Sequence, residues 1–288
     1  MVWVNAIVQG LLLGGLYALF ATGLSLVFGV MRLVNLAHGD LIVLSSFLAL
    51  VLVDNLGWNP LVTLVFLIPL MAALGFVLQY VLLNFTLDSG LAPLLATFGL
   101  SVVIQNALQE QFSADERGLH VGTLDTDSIR ITSQVSIGWF RLIMFLVAVV
   151  LLVGLQLLIR RTRLGRSLRA TSDDQRTAQL VGIDNRKLYG IAMALSMATV
   201  AIAGVFFGSY TTFAPTDGPA RLIFAFEAVI IGGLGSLWGT LAGGIILGVA
   251  QGIGAQISVG WGVLAGHLVF LAILLVRPRG LLPGPELA

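Results

Sequence analysis

The feature that most constrains the fold is a series of long apolar runs without a formal charge, the longest of which extends from Ala228 to Val276. A helix needs about 20 apolar residues to cross a bilayer, so this run alone is long enough for two crossings and a shorter piece. The whole chain is 58% hydrophobic and 10% charged, with a mean hydropathy of +1.01. These values predict an all-α, polytopic integral membrane protein with eight or nine transmembrane helices.

Composition also excludes several kinds of chemistry. The chain has no cysteine, so thiol catalysis, disulfides and thiolate metal sites are excluded. Its three histidines are not spaced as metal ligands. The sole lysine, Lys187, precedes Leu188, so no phosphate-binding loop of the ATPase type can be written. We therefore expect no catalytic residue, metal, cofactor or nucleic-acid partner. Residues 1–31 carry no charge, which favours a first helix that stays as an anchor rather than a cleaved signal.

The segment 160–187 holds more than half of the fifteen basic residues. By the positive-inside rule it is cytoplasmic, and counting spans outward from it places the N-terminus outside and the C-terminus inside. Ser172 with Gln175 is typical of a capping box, and Gly182 of a helix stop, so a short helix is predicted from about Asp173 to Val181. Two interpretations remain open: a solvated loop that only orients the chain, or a docking helix.

The same count divides one transmembrane domain, 1–288, into two halves. The run Leu41–Val53 is too short to span alone, which predicts a helix break before it, and Asp88 is expected to mark an inner turn. In the second half, Gly232–Gly239 interrupts an apolar run in a similar way. Matching breaks in halves of opposite orientation indicate an inverted repeat with broken helices. The predicted parts are 1–109 (first half), 110–138 (external loop), 160–187 (cytoplasmic coupling loop) and 188–288 (second half).

Polar residues near the predicted breaks are the candidate site. Asn35, His38 and Asp40 either line a solute path or cap helix ends at the inner face. Glu227 either faces the path or pairs with Arg221. The remaining candidates are Gln105 and Asn106, expected to bond between helices; His267, expected to be a packing residue; and the helix-break glycines Gly39, Gly232, Gly233, Gly235 and Gly239, expected to serve packing and hinge motion.

Several motifs in order give the chain a family resemblance. They are Gly29–Asp40, Thr97–Ser101 with Gln105 and Asn106, Arg163–Ala170, Ala178 with Gly182, Gly232–Gly239 and Arg277–Leu281. With these motifs the chain resembles the permease subunits of branched-chain amino acid ABC importers. The resemblance implies partners: two cytoplasmic ABC ATPase subunits, a second permease subunit and an extracytoplasmic solute-binding protein. It also implies an ATPase-coupling role for Arg166, Arg169, Ser172, Ala178, Val181 and Gly182, although Arg176 and Thr177 stand where such importers usually carry Glu-Ala.

The resulting hypothesis is a permease subunit in the inner membrane of a prokaryote. It would take up small amphipathic solutes, branched-chain or other neutral amino acids first among them, by alternating access, with ATP hydrolysed by partners. Amides and urea remain open as solutes. The alternative is an ion-coupled secondary transporter that uses Asp40, His38 and Glu227.

Overall fold

The computed structural model describes residues 2–86, 90–132 and 135–282. Within these ranges the regular structure is helical apart from one antiparallel hairpin, in which Ile129 of β1 pairs with Ile137 of β2, and one isolated bridge between Arg117 and Phe213. The elements are α1 (Val2–Met31), α2 (His38–Leu56), α3 (Pro60–Val81), α4 (Ala92–Phe112), β1 (Ser128–Thr132), β2 (Val135–Gly138), α5 (Trp139–Arg161), α6 (Arg163–Asp173), α7 (Gln175–Leu180), α8 (Asn185–Tyr210), α9 (Gly218–Gly232), α10 (Leu237–Ile257) and α11 (Trp261–Val276).

In the described residues, seven helices are long and apolar enough to cross a membrane: α1 to α5, α8 and α10. The helix α11 is apolar but only 16 residues long, and α9 has 15 residues. The prediction of an all-α polytopic membrane protein is therefore confirmed. The eight or nine predicted helices correspond to seven of full length and two shorter ones.

The prediction that Leu41–Val53 is too short to span was wrong. The helix α2 has 19 residues, because it begins at His38 and continues through the charged Asp54 to Leu56. Asp54 is exposed near the end of the helix. A charged side chain is tolerated there because it does not have to be buried. Gly57 ends the helix in a left-handed conformation with φ of 64°. The inner turn predicted at Asp88 lies outside the described residues.

The helices share two ends, which we name by what lies there. At the "Arg-rich end", the Ser172 hydroxyl of α6 donates to the carbonyl of Gly29 in the last turns of α1, at 2.7 Å. At the "hairpin end", the Gln9 amide near the start of α1 donates to the carbonyl of Ser136 in β2. The helix α1 therefore runs the full distance between these ends, and most of it is buried among the other helices.

Two connections lead back into the middle of the bundle: the break predicted before Leu41, and a second one at residues 211–217 rather than at the predicted Gly232–Gly239. After α1 reaches the Arg-rich end, residues 32–37 return until His38, the first residue of α2, bonds the carbonyl of Phe20 halfway along α1. After α8 reaches the hairpin end, residues 211–217 return, and α9 begins at Gly218 beside Gly39. The N-termini of α2 and α9 thus meet, and the two helices run from there to opposite ends.

Each half of the chain contributes one long helix to each of two closely packed helix pairs, and the two pairs are similar. In one pair, α1 and α10 approach through glycines: a Cβ at Gly14 would lie 2.5 Å from the Cα of Ile245. In the other pair, α3 and α8 approach in the same way, and a Cβ at Gly75 would lie 2.7 Å from the carbonyl oxygen of Met193. Small residues allow such close helix contact in a membrane protein. The arrangement is that of an inverted repeat in which α1 corresponds to α8, and α3 to α10.

Candidate functional site

The junction of α2 and α9 is the most polar part of the buried interior, and we call it the "central junction". Asn35, His38 and Asp40 are each 1% exposed there. The residues that surround them come from α1, α4 and the start of α9. A polar group in such a place is costly unless it has a hydrogen-bond partner. The partners of these three side chains therefore decide what the junction can do.

Two side chains stabilise the backbone at the start of α2. The Asn35 side-chain oxygen accepts from the Ala37 N–H at 3.0 Å. The Thr97 hydroxyl of α4 accepts from the Leu36 N–H at 3.1 Å. These bonds satisfy N–H groups that the helix break leaves without helical partners. Asn35 therefore closes a turn before α2 and does not cap the helix itself, whose N-cap residue Ala37 receives no side-chain cap bond.

His38 links the break to the middle of α1. Its Nε2 lies 2.8 Å from the carbonyl oxygen of Phe20, so this nitrogen carries the hydrogen and donates it. A Cβ at Gly23 would lie 2.9 Å from the imidazole ring. The ring is therefore held tightly against α1, which fits a structural link better than a mobile proton carrier.

Asp40 stands where the two helix N-termini meet. The Ser101 and Gln105 side chains of α4 lie near its carboxyl group, and the Gln105 amide donates to the Ser101 hydroxyl at 3.1 Å. Its Oδ1 atom is buried, has no hydrogen-bond partner among the described residues and lies against Gly218. A negative charge is favoured near helix N-termini, and here two of them face the same carboxyl group.

The structure brings together some of the predicted candidates and separates others. Asn35, His38, Asp40 and Gln105 meet at the central junction. Asn106 does not belong to it, because its amide bonds the carbonyl of Val102 on its own helix and the side chain is exposed. The prediction of an interhelical bond is therefore wrong for Asn106.

Glu227 lies in a second buried cluster and does not pair with Arg221. Its Oε1 is 2.5 Å from Nδ1 of His267 on α11, while Arg221 pairs with Asp217 four residues earlier at 3.2 Å. Spacing explains the second pair, since residues four apart on a helix are neighbours. Beside this cluster the Tyr17 hydroxyl donates to Gln251 at 2.5 Å.

The helix-break glycines are packing positions. A Cβ at Gly232 would overlap the carbonyl of Gly239, and a Cβ at Gly239 would overlap that of Gly232. Gly233 and Gly235 have φ of 108° and 75°, values that side chains disfavour. Gly39 is equally confined, because a Cβ there would overlap the carbonyl oxygen of Gly218.

The Arg-rich segment folds as two helices rather than one. Ser172 lies inside α6 and bonds Gly29, so the predicted capping box at Ser172 was wrong; Asp174 caps α7 instead, accepting from the Arg176 and Thr177 N–H groups. The hydrogen bonds from Thr177 and Arg176 hold the pKa of Asp174 below its usual value. Gly182, with φ of 87°, is the left-handed residue after the helix, as predicted.

The coupling candidates differ in access. Ala178 is 3% exposed, whereas Val181 is 72% and its neighbour Leu180 is 87% exposed. Ala178 and Val181 therefore do not share a free face. Arg166 is exposed, and Arg169 donates to the carbonyl of Ile159 at 3.0 Å. The exposed apolar pair at the end of α7 is thus Leu180 and Val181.

Sequence analysis missed Thr97, Ser101, Tyr17 and Gln251 as site residues. A signal for the first two was present, because Thr97, Ser101 and Gln105 are four apart and so lie on one face of α4. Tyr17 and Gln251 had no such signal, since they lie far apart in the chain. In the described residues no group of three or more His, Cys, Asp or Glu side chains is placed to hold a metal ion.

Comparisons with known proteins agree over nearly the whole chain. The family described as branched-chain amino acid transport system / permease component matches residues 6–277. The high-affinity branched-chain amino acid transport system permease protein BraD of Pseudomonas aeruginosa is 31% identical, over 99% of this chain and 97% of that protein. The corresponding protein LivH of Escherichia coli is 28% identical, over 96% and 94%. A probable LivH of Methanocaldococcus jannaschii is 26% identical, over 92% and 88%. No solved structure gave a significant match.

Proposed function

Because the chain belongs to the branched-chain amino acid transport permease family, we propose that it is the membrane-spanning subunit of an ATP-driven importer for branched-chain or other neutral amino acids. Its relatives BraD and LivH, which it matches over nearly their whole length, are named as permease proteins of high-affinity branched-chain amino acid transport systems. The solute would pass by alternating access between the two inverted halves. A second permease subunit would complete the pore, and a solute-binding protein would deliver the solute.

The observation that carries the proposal is the exposed end of α7. Leu180 and Val181 are apolar and largely exposed on a segment whose other exposed residues are mostly polar or charged. Large exposed apolar side chains of this kind mark protein contacts. We assign them to the contact with the ATPase subunit, which couples hydrolysis to movement of the membrane helices.

The test places one arginine at two neighbouring positions. Leu180→Arg should abolish co-purification of the ATPase and reduce uptake to background, because a guanidinium without a partner would be buried in the contact, at a cost of several kcal/mol. Gln179→Arg, also at an exposed position, is the control and should retain both. Ala178→Arg is unsuitable, because Ala178 is buried within the chain itself. Equal, near-normal uptake in both variants would contradict the coupling role.

Orientation is part of the proposal. The Arg-rich end would be cytoplasmic by its charge, which places the hairpin end and the N-terminus outside and the C-terminus inside. The chain lacks cysteine, so single cysteines report access cleanly. Ser113→Cys should react with an impermeant maleimide on intact cells, and Gln179→Cys should react only after lysis. The opposite labelling would reverse the orientation.

The source of energy separates this proposal from an ion-coupled carrier that uses Asp40, His38 and Glu227. Uptake by an ATP-driven importer should stop when cellular ATP is depleted and continue when an uncoupler removes the proton gradient. Survival of uptake without ATP would favour the ion-coupled carrier.

A further inference from the structure

A cavity of about 180 Å³ opens at the Arg-rich end, between α1, α5, α6 and the turn that joins α9 to α10. Arg160 and Arg169 line it, together with Ser25 and Trp238. No acidic residue contributes to its wall. Within the described part of the chain, neither arginine forms an ion pair. The cavity is therefore cationic, and a ligand that fits it carries negative charge.

A buried hydroxyl points to the same kind of ligand. Ser25 is 1% exposed, lines the cavity, and its Oγ has no hydrogen-bond partner among the described residues. A buried hydroxyl without a partner is unfavourable. A ligand oxygen in the cavity would satisfy it. The site thus combines two guanidinium groups with one free donor, a set suited to phosphate oxygens.

The surroundings of the cavity are apolar and exposed. On the outer face of α5, Leu146, Val150 and Leu157 are 51%, 70% and 48% exposed. Their spacing of four and seven residues places them in one stripe, and Arg160 follows Leu157 by three residues on the same side. At the rim, Trp238 is 45% exposed, and tryptophan is typical of the membrane interface.

We propose that this cavity binds the phosphodiester headgroup of an anionic phospholipid, with an acyl chain along the α5 stripe. Arg160 and Arg169 would contact the phosphate, and Ser25 would donate to one of its oxygens. A free phosphate ion has the same charge but has no apolar part that would contact the stripe or Trp238. Basic pockets between membrane helices bind lipid headgroups by this combination of charge and apolar contact.

The test measures lipid retained by the purified full-length chain. After extraction in mild detergent and incubation with mixed vesicles of phosphatidylglycerol and phosphatidylcholine, native mass spectrometry should show bound phosphatidylglycerol. The Arg160→Gln/Arg169→Gln variant should lose it by about fivefold for each arginine removed, the fold-change that corresponds to about 1 kcal/mol per basic residue. The control Arg176→Gln/Arg186→Gln removes the same charge from exposed positions of the same segment outside the cavity, and it should retain the lipid.

Two further variants keep the result interpretable, since Arg169 also bonds the backbone of α5. Arg160→Gln alone should show a partial loss. Ser25→Ala should lower lipid retention without unfolding, because its hydroxyl has no other partner. An equal loss in the control pair would show general attraction to negative charge and would overturn the site. Thermal stabilisation by inorganic phosphate equal to that by phosphatidylglycerol would also overturn the lipid assignment, in favour of a free anion.

Discussion

The break between α1 and α2 and the break between α8 and α9 bring two helix N-termini to one point, yet different side chains serve them. At the first, Asn35 and Asp40 are buried, and one polar atom of each, Asn35 Nδ2 and Asp40 Oδ1, has no hydrogen-bond partner among the described residues. At the second, Asp217 and Arg221 are half-buried and pair with each other. Arg221 also lies 4.4 Å from the centre of the Phe207 ring. The two breaks therefore share a backbone arrangement and differ in the side chains that surround it.

This difference assigns separate tasks to the two breaks. The first contains a buried carboxyl oxygen without a partner, facing the start of the other half. The second is anchored by an ion pair and by the bridge between Arg117 and Phe213 of the connecting segments. In the proposed transport cycle, the first break is the candidate for solute contact and the second holds α9 in place.

The largest loss of stability is expected where the N-terminus of α2 touches the N-terminus of α9. Gly39→Ala places a methyl group on the carbonyl of Gly218, which belongs to the backbone and cannot turn away. We expect the free energy of unfolding to fall by about 3 kcal/mol or more, the upper range for overpacking. Thermal unfolding in mild detergent measures it. The control is Gly99→Ala on α4, where nothing lies within 4 Å of the new methyl group. Equal stability of the two variants would mean that the N-termini do not meet.

A smaller effect is expected at the buried carboxyl. Asp40→Ala removes a buried carboxyl group that lies beside the Ser101 and Gln105 side chains, and the loss of a hydrogen-bond partner for a buried donor costs about 1–3 kcal/mol. If the carboxyl group contacts the solute, the uptake rate per folded protein should also fall. A double-mutant cycle with Gln105→Ala should give a coupling energy of about 1 kcal/mol. Strict additivity would show that Asp40 and Gln105 do not interact.

The matching substitution at the second break should be milder. Asp217→Ala removes a partner of Arg221 from a partly solvated pair, and such pairs contribute up to about 1 kcal/mol. The loss should shrink further in high salt, which screens exposed charges. Thermal unfolding of Asp217→Ala at low and high salt checks this. If Asp217→Ala lowered the free energy of unfolding as much as Asp40→Ala does, the two breaks would not differ in the way proposed.

The sequence predicted the fold class, the break before α2 and several residues of the central junction, because charge gaps and polar residues near a break are local signals. The second break was predicted at Gly232–Gly239 and lies at residues 211–217 instead. Sequence analysis failed where the outcome depended on distant partners. Glu227 pairs with His267 of α11 rather than with nearby Arg221, and only the packing of α9 against α11 decides this. Ala178 is buried although its neighbours Gln179 and Leu180 are exposed, an outcome that depends on the packing of α7 and not on its own sequence. The cap at Asp174 rather than Ser172 followed from α6, a helix that had not been predicted.

The smallest expected effect concerns Asp174, an exposed aspartate that only caps a helix and so provides the reference for Asp40 and Asp217. Hydrogen bonds from the Thr177 hydroxyl and from the Thr177 and Arg176 N–H groups lower its pKa. A lowered pKa in the folded state means that the stabilisation of α7 is present above the unfolded-state pKa and is lost as pH falls through the folded-state pKa. Hydrogen-exchange protection of α7, corrected for intrinsic exchange, should therefore decline in acid. Asp174→Asn keeps an oxygen acceptor for the cap but does not titrate, so its protection should not change over the same range. An identical acid decline in Asp174→Asn would assign the pH dependence to another group, and Asp174 could then no longer serve as the reference for the two buried or half-buried aspartates.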